Sequence, residues 1–128
     1  YDVTLTRYRD MERIVRTALA KIRTILHSLA GMAARKNFKL LTVLLPLQAE
    51  IEGSFFAYHG FHDELEAKNG IAALDMRRYL REVEKLDGKS SRGYFWAGDK
   101  HPNARGYAAF ARGVEWKIRK MGVFPEAK

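Results

Sequence analysis

The stretch Asp99-Lys-His-Pro-Asn-Ala-Arg-Gly-Tyr107 places an acid and a histidine just ahead of a sharp helix start. Asp99 precedes His101 by two positions, so its carboxylate can orient the imidazole and stabilise its cationic form. An imidazole held in this way can take a proton from a hydroxyl nucleophile. We therefore predict that Asp99 and His101 are catalytic. The alternative is that Asp99 caps a local turn and that His101 is a surface residue.

The residues that follow the histidine favour a rigid junction. Pro102 fixes the backbone dihedral φ, and Asn103 is a good N-cap for a helix that runs to about Lys120. Gly106 has no side chain, so the first helical turn can pack closely against a neighbouring backbone. We expect Pro102, Asn103 and Gly106 to be structural residues that hold His101 in place.

Short apolar runs alternate with helical patterns along the chain, which predicts an α/β fold. The runs typical of buried strands are Lys39 to Leu45, Ile71 to Leu74 and Gly93 to Trp96. The helical patterns cover Asp10 (as N-cap) to about Lys36, a segment that ends at Asn69-Gly70, Met76 to Leu86, and Asn103 to about Lys120. This order predicts a parallel sheet, in which ligands bind beyond the carboxyl ends of the strands. The loop that carries Asp99 and His101 follows the last run and therefore lies at that edge.

The segment from Asp99 to Tyr107 resembles the last sequence block of the SGNH (GDSL-type) hydrolases, which supplies the catalytic acid and histidine of that family. The layout of helices around Asn69-Gly-Ile-Ala-Ala-Leu-Asp75 is similar to the C-terminal half of the same fold. The resemblance implies a three-layer, flavodoxin-like parallel sheet with helices on both faces. Asp-x-His replaces the more common Asp-x-x-His spacing, as in some branches of the family, including ones that act on polysaccharide acyl groups.

The resemblance also implies a serine nucleophile in a Gly-Asp-Ser block, and the sequence contains no such block. Ser28 lies in a predicted helix, Ser54 follows no clear pattern, and Ser90 and Ser91 lie in a polar loop. We therefore expect residues 1–128 to be the C-terminal part of one SGNH-like hydrolase domain. The serine would come from an N-terminal part, on the same or a separate polypeptide. The implied reaction is hydrolysis or O-acyl transfer of an acyl ester, with neither a metal nor an organic cofactor.

Polar and aromatic residues near the predicted strand ends are candidates for substrate binding. Gln48, Glu50 and Glu52 follow the first apolar run. They can line a cleft or form the solvated start of a helix, and we favour the solvated helix for the three as a group. Trp96 leads into the loop before Asp99 and can border the same pocket. We predict Gln48 and Trp96 as substrate-binding residues.

Two histidines that are three positions apart, His59 and His62, lie beside Asp63 and Glu64. Residues at this spacing can share one face of a helix. A zinc site usually needs a third protein ligand and supporting hydrogen bonds, and no further ligand is evident in the sequence. We therefore predict a polar segment near the pocket rim rather than a metal site.

The formal net charge of the chain is +8, with 23 basic and 15 acidic residues. Over the first part of the chain, Asp10 and Glu12 are outnumbered by Arg7, Arg9, Arg13, Arg16, Lys21, Arg23, Arg35, Lys36 and Lys39. A basic helix can bind an anionic partner or can form a solvated surface. A non-enzymatic basic α/β module that binds nucleic acid is therefore the alternative function, and it ranks second because no nucleic-acid-binding motif accompanies the charge.

Composition also excludes several kinds of site and argues against a membrane span. The chain has no cysteine, which excludes disulfides, thiol catalysis and zinc–thiolate sites. It also has no apolar run of about 18 residues, so we expect no membrane span.

Overall fold

The computed structural model describes residues 3–53 and 55–123, with side chains from Arg9 onward. The chain divides into two compact units, Tyr1–Leu40 and Leu41–Lys128. In the first unit, α1 is a helix of 34 residues, Val3–Lys36. The predicted helix is confirmed, but Asp10 is not its N-cap, because the helix begins seven residues earlier. Asp10 instead accepts a hydrogen bond from Arg13 on the next turn, at 3.3 Å.

The second unit contains a small sheet surrounded by helices. Its elements are β1 (Thr42–Leu44), α2 (Gln48–Glu52), α3 (Phe61–Asp63), a π-helical turn (Glu64–Lys68), β2 (Ala73–Asp75), α4 (Met76–Glu82), a 3-10 helix (Ser90–Tyr94) and α5 (Ala104–Lys120). The strands β1 and β2 are parallel, and their register pairs Thr42 with Ala73 and Leu44 with Asp75. Both strands lie within predicted apolar runs or at their ends, so this part of the prediction is confirmed.

The predicted three-layer, flavodoxin-like sheet is wrong. The described part of the chain is mostly helical and has two short parallel strands. The predicted third strand at Gly93 to Trp96 is replaced by the 3-10 helix, and only Phe95 makes an isolated antiparallel bridge, to Pro102. Asp87 is the cause: its Oδ1 accepts the backbone N–H groups of Lys89 and Ser90, at 2.9 and 2.8 Å, and this curls the chain.

The core of the second unit lies where α4 and α5 pack together near the sheet. Leu74, Met76, Leu80 and Ala109 are each at most 2% exposed. Burying a large apolar side chain of this kind contributes roughly 1.5–3 kcal/mol. The two helices come close at Gly113, where an added Cβ would lie 2.8 Å from Met76 Sδ.

The ends of the short helices are fixed by local hydrogen bonds. Asp75 caps α4, since its Oδ1 accepts the backbone N–H of Arg78 at 2.9 Å. The helix ends at Glu82, four residues earlier than the sequence predicts. The reason is a left-handed residue, Lys85 (φ +58°), which lets the Leu86 N–H reach back to the Leu80 carbonyl at 2.9 Å. The predicted stop at Asn69-Gly70 is confirmed, with Gly70 at φ +63°.

Across the described residues, no helix is both long enough and apolar enough to cross a membrane.

Candidate active site

A short hairpin holds the backbone of the predicted catalytic histidine. Phe95 and Pro102 form its antiparallel bridge. Inside it, the Trp96 N–H donates to the His101 carbonyl at 2.8 Å, and the Lys100 N–H donates to the Trp96 carbonyl at 3.0 Å. Lys100 closes the turn in the left-handed region, at φ +64°. The backbone around His101 is therefore held by several main-chain hydrogen bonds.

The Asp99 carboxylate contacts both the backbone and the imidazole of His101. Its Oδ1 accepts the His101 backbone N–H at 2.9 Å, which makes it a turn cap. Its Oδ2 lies 3.4 Å from His101 Nδ1, which makes it a partner for the imidazole. The backbone hydrogen bond from His101 is the main cause that lowers the pKa of Asp99, and the nearby imidazole adds to the effect. The carboxylate is therefore ionised at neutral pH and faces the imidazole as a charged acceptor.

Both side chains are open to solvent: that of His101 is 75% exposed and that of Asp99 is 62% exposed. An ion pair in water contributes little, because solvent screens it. Among the described residues no bond to His101 Nε2 is made, so this nitrogen is available for proton transfer. The attraction between the two side chains grows when another surface covers them and excludes water.

Asn103 and Gly106 anchor the hairpin to α5. The Asn103 side chain caps the helix by accepting the Gly106 N–H at 3.1 Å, and its Nδ2 donates to the Gly93 carbonyl at 3.0 Å. The Asn103 N–H also donates to the Tyr94 carbonyl, at 3.0 Å. An added Cβ at Gly106 would lie 2.2 Å from the Tyr94 oxygen and 3.0 Å from Pro102 Cβ. Only glycine fits this position, and the close approach predicted for it is present.

A cleft of about 460 Å³ lies beside the Asp–His pair. One wall follows β1 and the other is the hairpin, so the structure brings Gln48 and His101 to the same cavity. Its lining is Pro46, Leu47, Gln48, Ala49, Glu52, Phe95, Asp99, Lys100, His101 and Pro102. Trp96 is not part of this lining, and its side chain is 60% exposed.

The predicted solvated start of a helix is wrong for Gln48 and Glu50, which are 8% and 7% exposed. The Glu50 carboxylate is buried because it accepts backbone N–H groups: that of Leu47 at 2.7 Å and that of Ala57 at 2.9 Å. These bonds fix the start of α2 and the loop that follows it. Glu50 therefore has a structural role.

Glu52 connects the two walls of the cleft. Its Oε1 accepts the hydroxyl of Ser91 at 2.9 Å and the Nε2 amide of Gln48 at 3.1 Å. The hydrogen bond from Ser91 is the main cause that lowers the pKa of Glu52, followed by that from Gln48. Ser91 is fully buried and belongs to the 3-10 helix that leads into the hairpin. No sequence signal indicates this link, because the residues are 39 positions apart.

Of the two ends of the Gln48 amide, only Nε2 has a hydrogen-bond partner among the described residues. An ionised carboxylate accepts but does not donate, so Glu52 holds the Nε2 end of the amide. The other end, Oε1, is buried and has no hydrogen-bond partner among the described residues. A buried acceptor in this state costs about 1–3 kcal/mol. This oxygen is therefore enclosed by the protein and is not exposed to the open cleft.

The serines that the structure describes have other roles. Ser28 lies within α1. The Ser90 hydroxyl bonds to the Asp87 carboxylate at 3.0 Å, and the Ser91 hydroxyl is held by Glu52. Ser54 lies outside the described residues. The described serines thus supply no nucleophile that is placed by the strand–turn–helix context of an SGNH hydrolase.

The segment with His59 and His62 makes hydrogen bonds within the protein through His62. His62 Nε2 lies 3.0 Å from the Ala73 carbonyl, and Nδ1 lies 3.2 Å from the Asp63 carboxylate. Both ring nitrogens therefore face protein acceptors. Within residues 3–53 and 55–123, no group of three or more His, Cys, Asp or Glu side chains is arranged to hold a metal ion.

In comparisons with protein-family models, curated proteins and solved structures, nothing matched this chain. The resemblance to the SGNH hydrolases therefore stays a prediction that rests on residues 99–107 and on the geometry around them.

Proposed function

We propose that the protein is an ester hydrolase or O-acyl transferase of SGNH type, in which this chain supplies the acid and the base. The observation that supports the proposal is the Asp99–His101 pair, which is held by a backbone-tied hairpin at the edge of a cleft. The serine nucleophile comes from outside this chain. The substrate is an acyl ester.

In the proposed reaction, His101 moves the proton and Asp99 stabilises the charge. His101 Nε2 takes the proton of the serine hydroxyl while the serine oxygen bonds to the carbonyl carbon of the ester. The imidazolium is stabilised by the Asp99 carboxylate on Nδ1. It then returns the proton to the leaving alcohol, and the acyl-serine remains. Water or an acceptor hydroxyl attacks the acyl-serine, with His101 again as base, and this restores the serine.

The solvent exposure of Asp99 and His101 supports an active site that this chain shares with a second surface. A surface that brings the serine to Nε2 also covers the imidazole and removes the screening water. We infer that the missing serine belongs to an N-terminal part of the same domain, on the same or a separate polypeptide. The partner surface then completes the cleft next to Gln48 and His101.

The proposal is tested with the His101→Ala variant of the complete protein, with p-nitrophenyl acetate as substrate. We expect a loss of roughly 10²–10⁴-fold in kcat/KM, because general base catalysis is removed. His59→Ala is the matched control, since His59 is exposed and does not line the cleft. Activity that survives in His101→Ala would exclude this residue as the base.

A second variant separates the two roles of Asp99. In Asp99→Asn, the amide oxygen can still accept the backbone N–H of His101, so the turn is retained. The negative charge next to Nδ1 is lost. We expect kcat to fall while the thermal stability stays close to that of the unsubstituted protein. A variant that keeps full activity would show that Asp99 acts only as a turn cap.

A further inference from the structure

A stripe of apolar side chains along the helix α1 is exposed to solvent. Its members recur at steps of three, four and seven residues, which places them on one side of the helix. They are Met11, Ile14, Ala18, Ile25, Leu29 and Met32. Ile14 and Ile25 are 65% and 59% exposed, whereas Leu26 and Ala33, on the adjacent side of the helix, are buried. From its first to its last residue the stripe is about 32 Å long, at about 1.5 Å per residue. An exposed apolar surface of this extent is typical of a binding surface.

The surface of α1 around this stripe is strongly basic. Its exposed cationic side chains are Arg9, Arg13, Arg16, Lys21, Arg35 and Lys36. Asp10 and Glu12 are the acidic residues between positions 9 and 36, and Asp10 already accepts a hydrogen bond from Arg13. Lys21 lies three positions after Ala18 and four before Ile25, so its side chain flanks the stripe directly. The helix therefore presents apolar surface and positive charge side by side.

The combination of charge and apolar surface selects one kind of partner. A second copy of the helix would suit the spacing of the stripe, but it would bring Lys21 and the other cations of two chains together, and like charges repel. The phosphates of a nucleic acid would pair with the cations and leave the stripe in water. The surface of an anionic bilayer meets both needs, because acyl chains take up the apolar side chains and headgroups attract the cations.

We propose that α1 binds along the surface of a lipid bilayer that contains anionic lipids. The stripe enters the boundary between headgroups and acyl chains to a depth of about 5–10 Å, and the basic side chains remain among the headgroups. The helix lies in the plane of the surface, since no described helix is long and apolar enough to cross a membrane. The inference concerns α1 alone and does not depend on the acyl-transfer reaction.

The test is co-sedimentation of the full chain with vesicles of phosphatidylcholine alone, and with vesicles in which about 30% of the lipid is phosphatidylserine. The measured quantity is the partition coefficient between vesicles and buffer. We expect it to be at least about tenfold higher on the vesicles with phosphatidylserine, because each cation near an anionic surface adds to the attraction. The difference should shrink as the salt concentration rises. Equal binding to both kinds of vesicle, or no binding to either, overturns the proposal.

Paired substitutions on α1 then separate the stripe from the charge. Ile14→Gln with Ile25→Gln removes apolar surface at constant charge, and binding to the phosphatidylserine vesicles should weaken by at least about tenfold. Arg13→Gln with Arg16→Gln removes two cations and should weaken the same binding by about tenfold. The matched control is Ala20→Gln with Ala34→Gln, two exposed positions on the opposite side of the helix. The control should bind within about twofold of the unsubstituted protein.

Two further results would overturn the proposal. Unchanged vesicle binding after Ile14→Gln with Ile25→Gln would mean that charge alone holds the protein on the lipid. Light scattering that finds a dimer without lipid, and a monomer after the same substitutions, would identify a second copy as the partner of the stripe. Circular dichroism checks that each variant keeps its helix. If the isoleucine variant loses helical structure, Met11→Gln with Met32→Gln replaces it, since both methionines belong to the stripe and glutamine has a similar length.

Discussion

At the scale of single residues, the absence of a Cβ atom at Gly106 allows a close backbone contact. Gly106 lies at the first turn of α5, where the helix meets the Tyr94 carbonyl and Pro102. Its backbone N–H is bound by the Asn103 cap. Both the capping bond and the close contact act on the segment that carries His101. A substitution at Gly106 therefore affects the proposed site through the backbone.

Gly106→Ala should lower the free energy of unfolding by about 3 kcal/mol, because the new Cβ overlaps with backbone that cannot move aside cheaply. Urea unfolding checks this value. Gly98→Ala is the matched control in the same loop, since an added Cβ there meets no atom within 4 Å. Equal stability of the two variants would mean that α5 can shift away from Tyr94 without cost.

At the scale of secondary-structure elements, one carboxylate fastens the end of α4 to α5. Glu84 Oε1 accepts the Tyr79 hydroxyl at 2.9 Å, and Arg112 donates to both carboxylate oxygens, at 2.7 and 3.0 Å. The side chain of Glu84 is 15% exposed. The hydrogen bonds from Arg112 are the main cause that lowers the pKa of Glu84. The two helices are thus held together by a charged bond as well as by apolar packing.

A carboxyl group whose pKa is lowered by folding stabilises the protein at pH values above the unfolded pKa, about 4.3 for glutamate. This contribution is lost as the pH falls through the lower pKa of the folded state. Glu84→Gln should therefore cost about 1 kcal/mol at pH 7, and the difference from the unsubstituted protein should shrink below about pH 4. Thermal unfolding between pH 3 and pH 7 provides the measurement.

Glu115→Gln is the control for this experiment. Arg119 Nε and Nη2 both donate to Oε1 of Glu115 on the same helix, but the side chains of Glu115 and Arg119 are 57% and 70% exposed. Exposed pairs of this kind contribute little. A loss in Glu115→Gln as large as that in Glu84→Gln would show that helix propensity or net charge, and not the contact between α4 and α5, causes the effect.

The elements that the sequence predicts well are those with a local cause. The apolar runs around Val43 and Leu74 predict strands because each is short, continuous and bounded by residues that end it. The run at Gly93 to Trp96 has a similar composition, yet Asp87 captures the backbone before it and a 3-10 helix forms. The end of α4 is missed because Lys85, not a glycine, takes the left-handed conformation.

In the candidate site too, contacts between sequence neighbours are predictable, and contacts between distant residues are not. The Asp99–His101 contact and the Asn103 cap are predictable, since the partners are within three residues of each other. The bond between Glu52 and Ser91 is not, because the fold alone brings these distant positions together. Gln48 is predicted to line a cleft, but the burial of its side chain and the unpartnered Oε1 emerge only from the structure.

At the scale of the whole molecule, α1 carries both exposed positive charge and exposed apolar surface. The helix carries exposed basic side chains, such as Arg13 at 77% exposure. It also exposes Met11, Ile14 and Ile25, at 54%, 65% and 59%. The net charge of +8 attracts any polyanion by long-range electrostatics. Such attraction is not specific by itself.

We expect the protein to bind RNA or DNA only weakly and without sequence preference, with an affinity that falls steeply as the salt concentration rises. Fluorescence anisotropy with a labelled oligonucleotide at 50 and 200 mM salt measures this dependence. Replacing Arg13 and Arg16 together by Gln should make the dependence less steep. Binding that persists at 200 mM salt with a clear sequence preference would favour the non-enzymatic alternative.

The hairpin between Phe95 and Pro102 has an evolutionary consequence. Trp96 and Lys100 secure His101 through main-chain groups, so their side chains can diverge while the histidine keeps its place. Lys100 also faces the cleft and adopts a backbone conformation that glycine or asparagine takes more readily. Natural substitution of Lys100 could therefore change which ligands enter the cleft and leave the position of His101 unchanged.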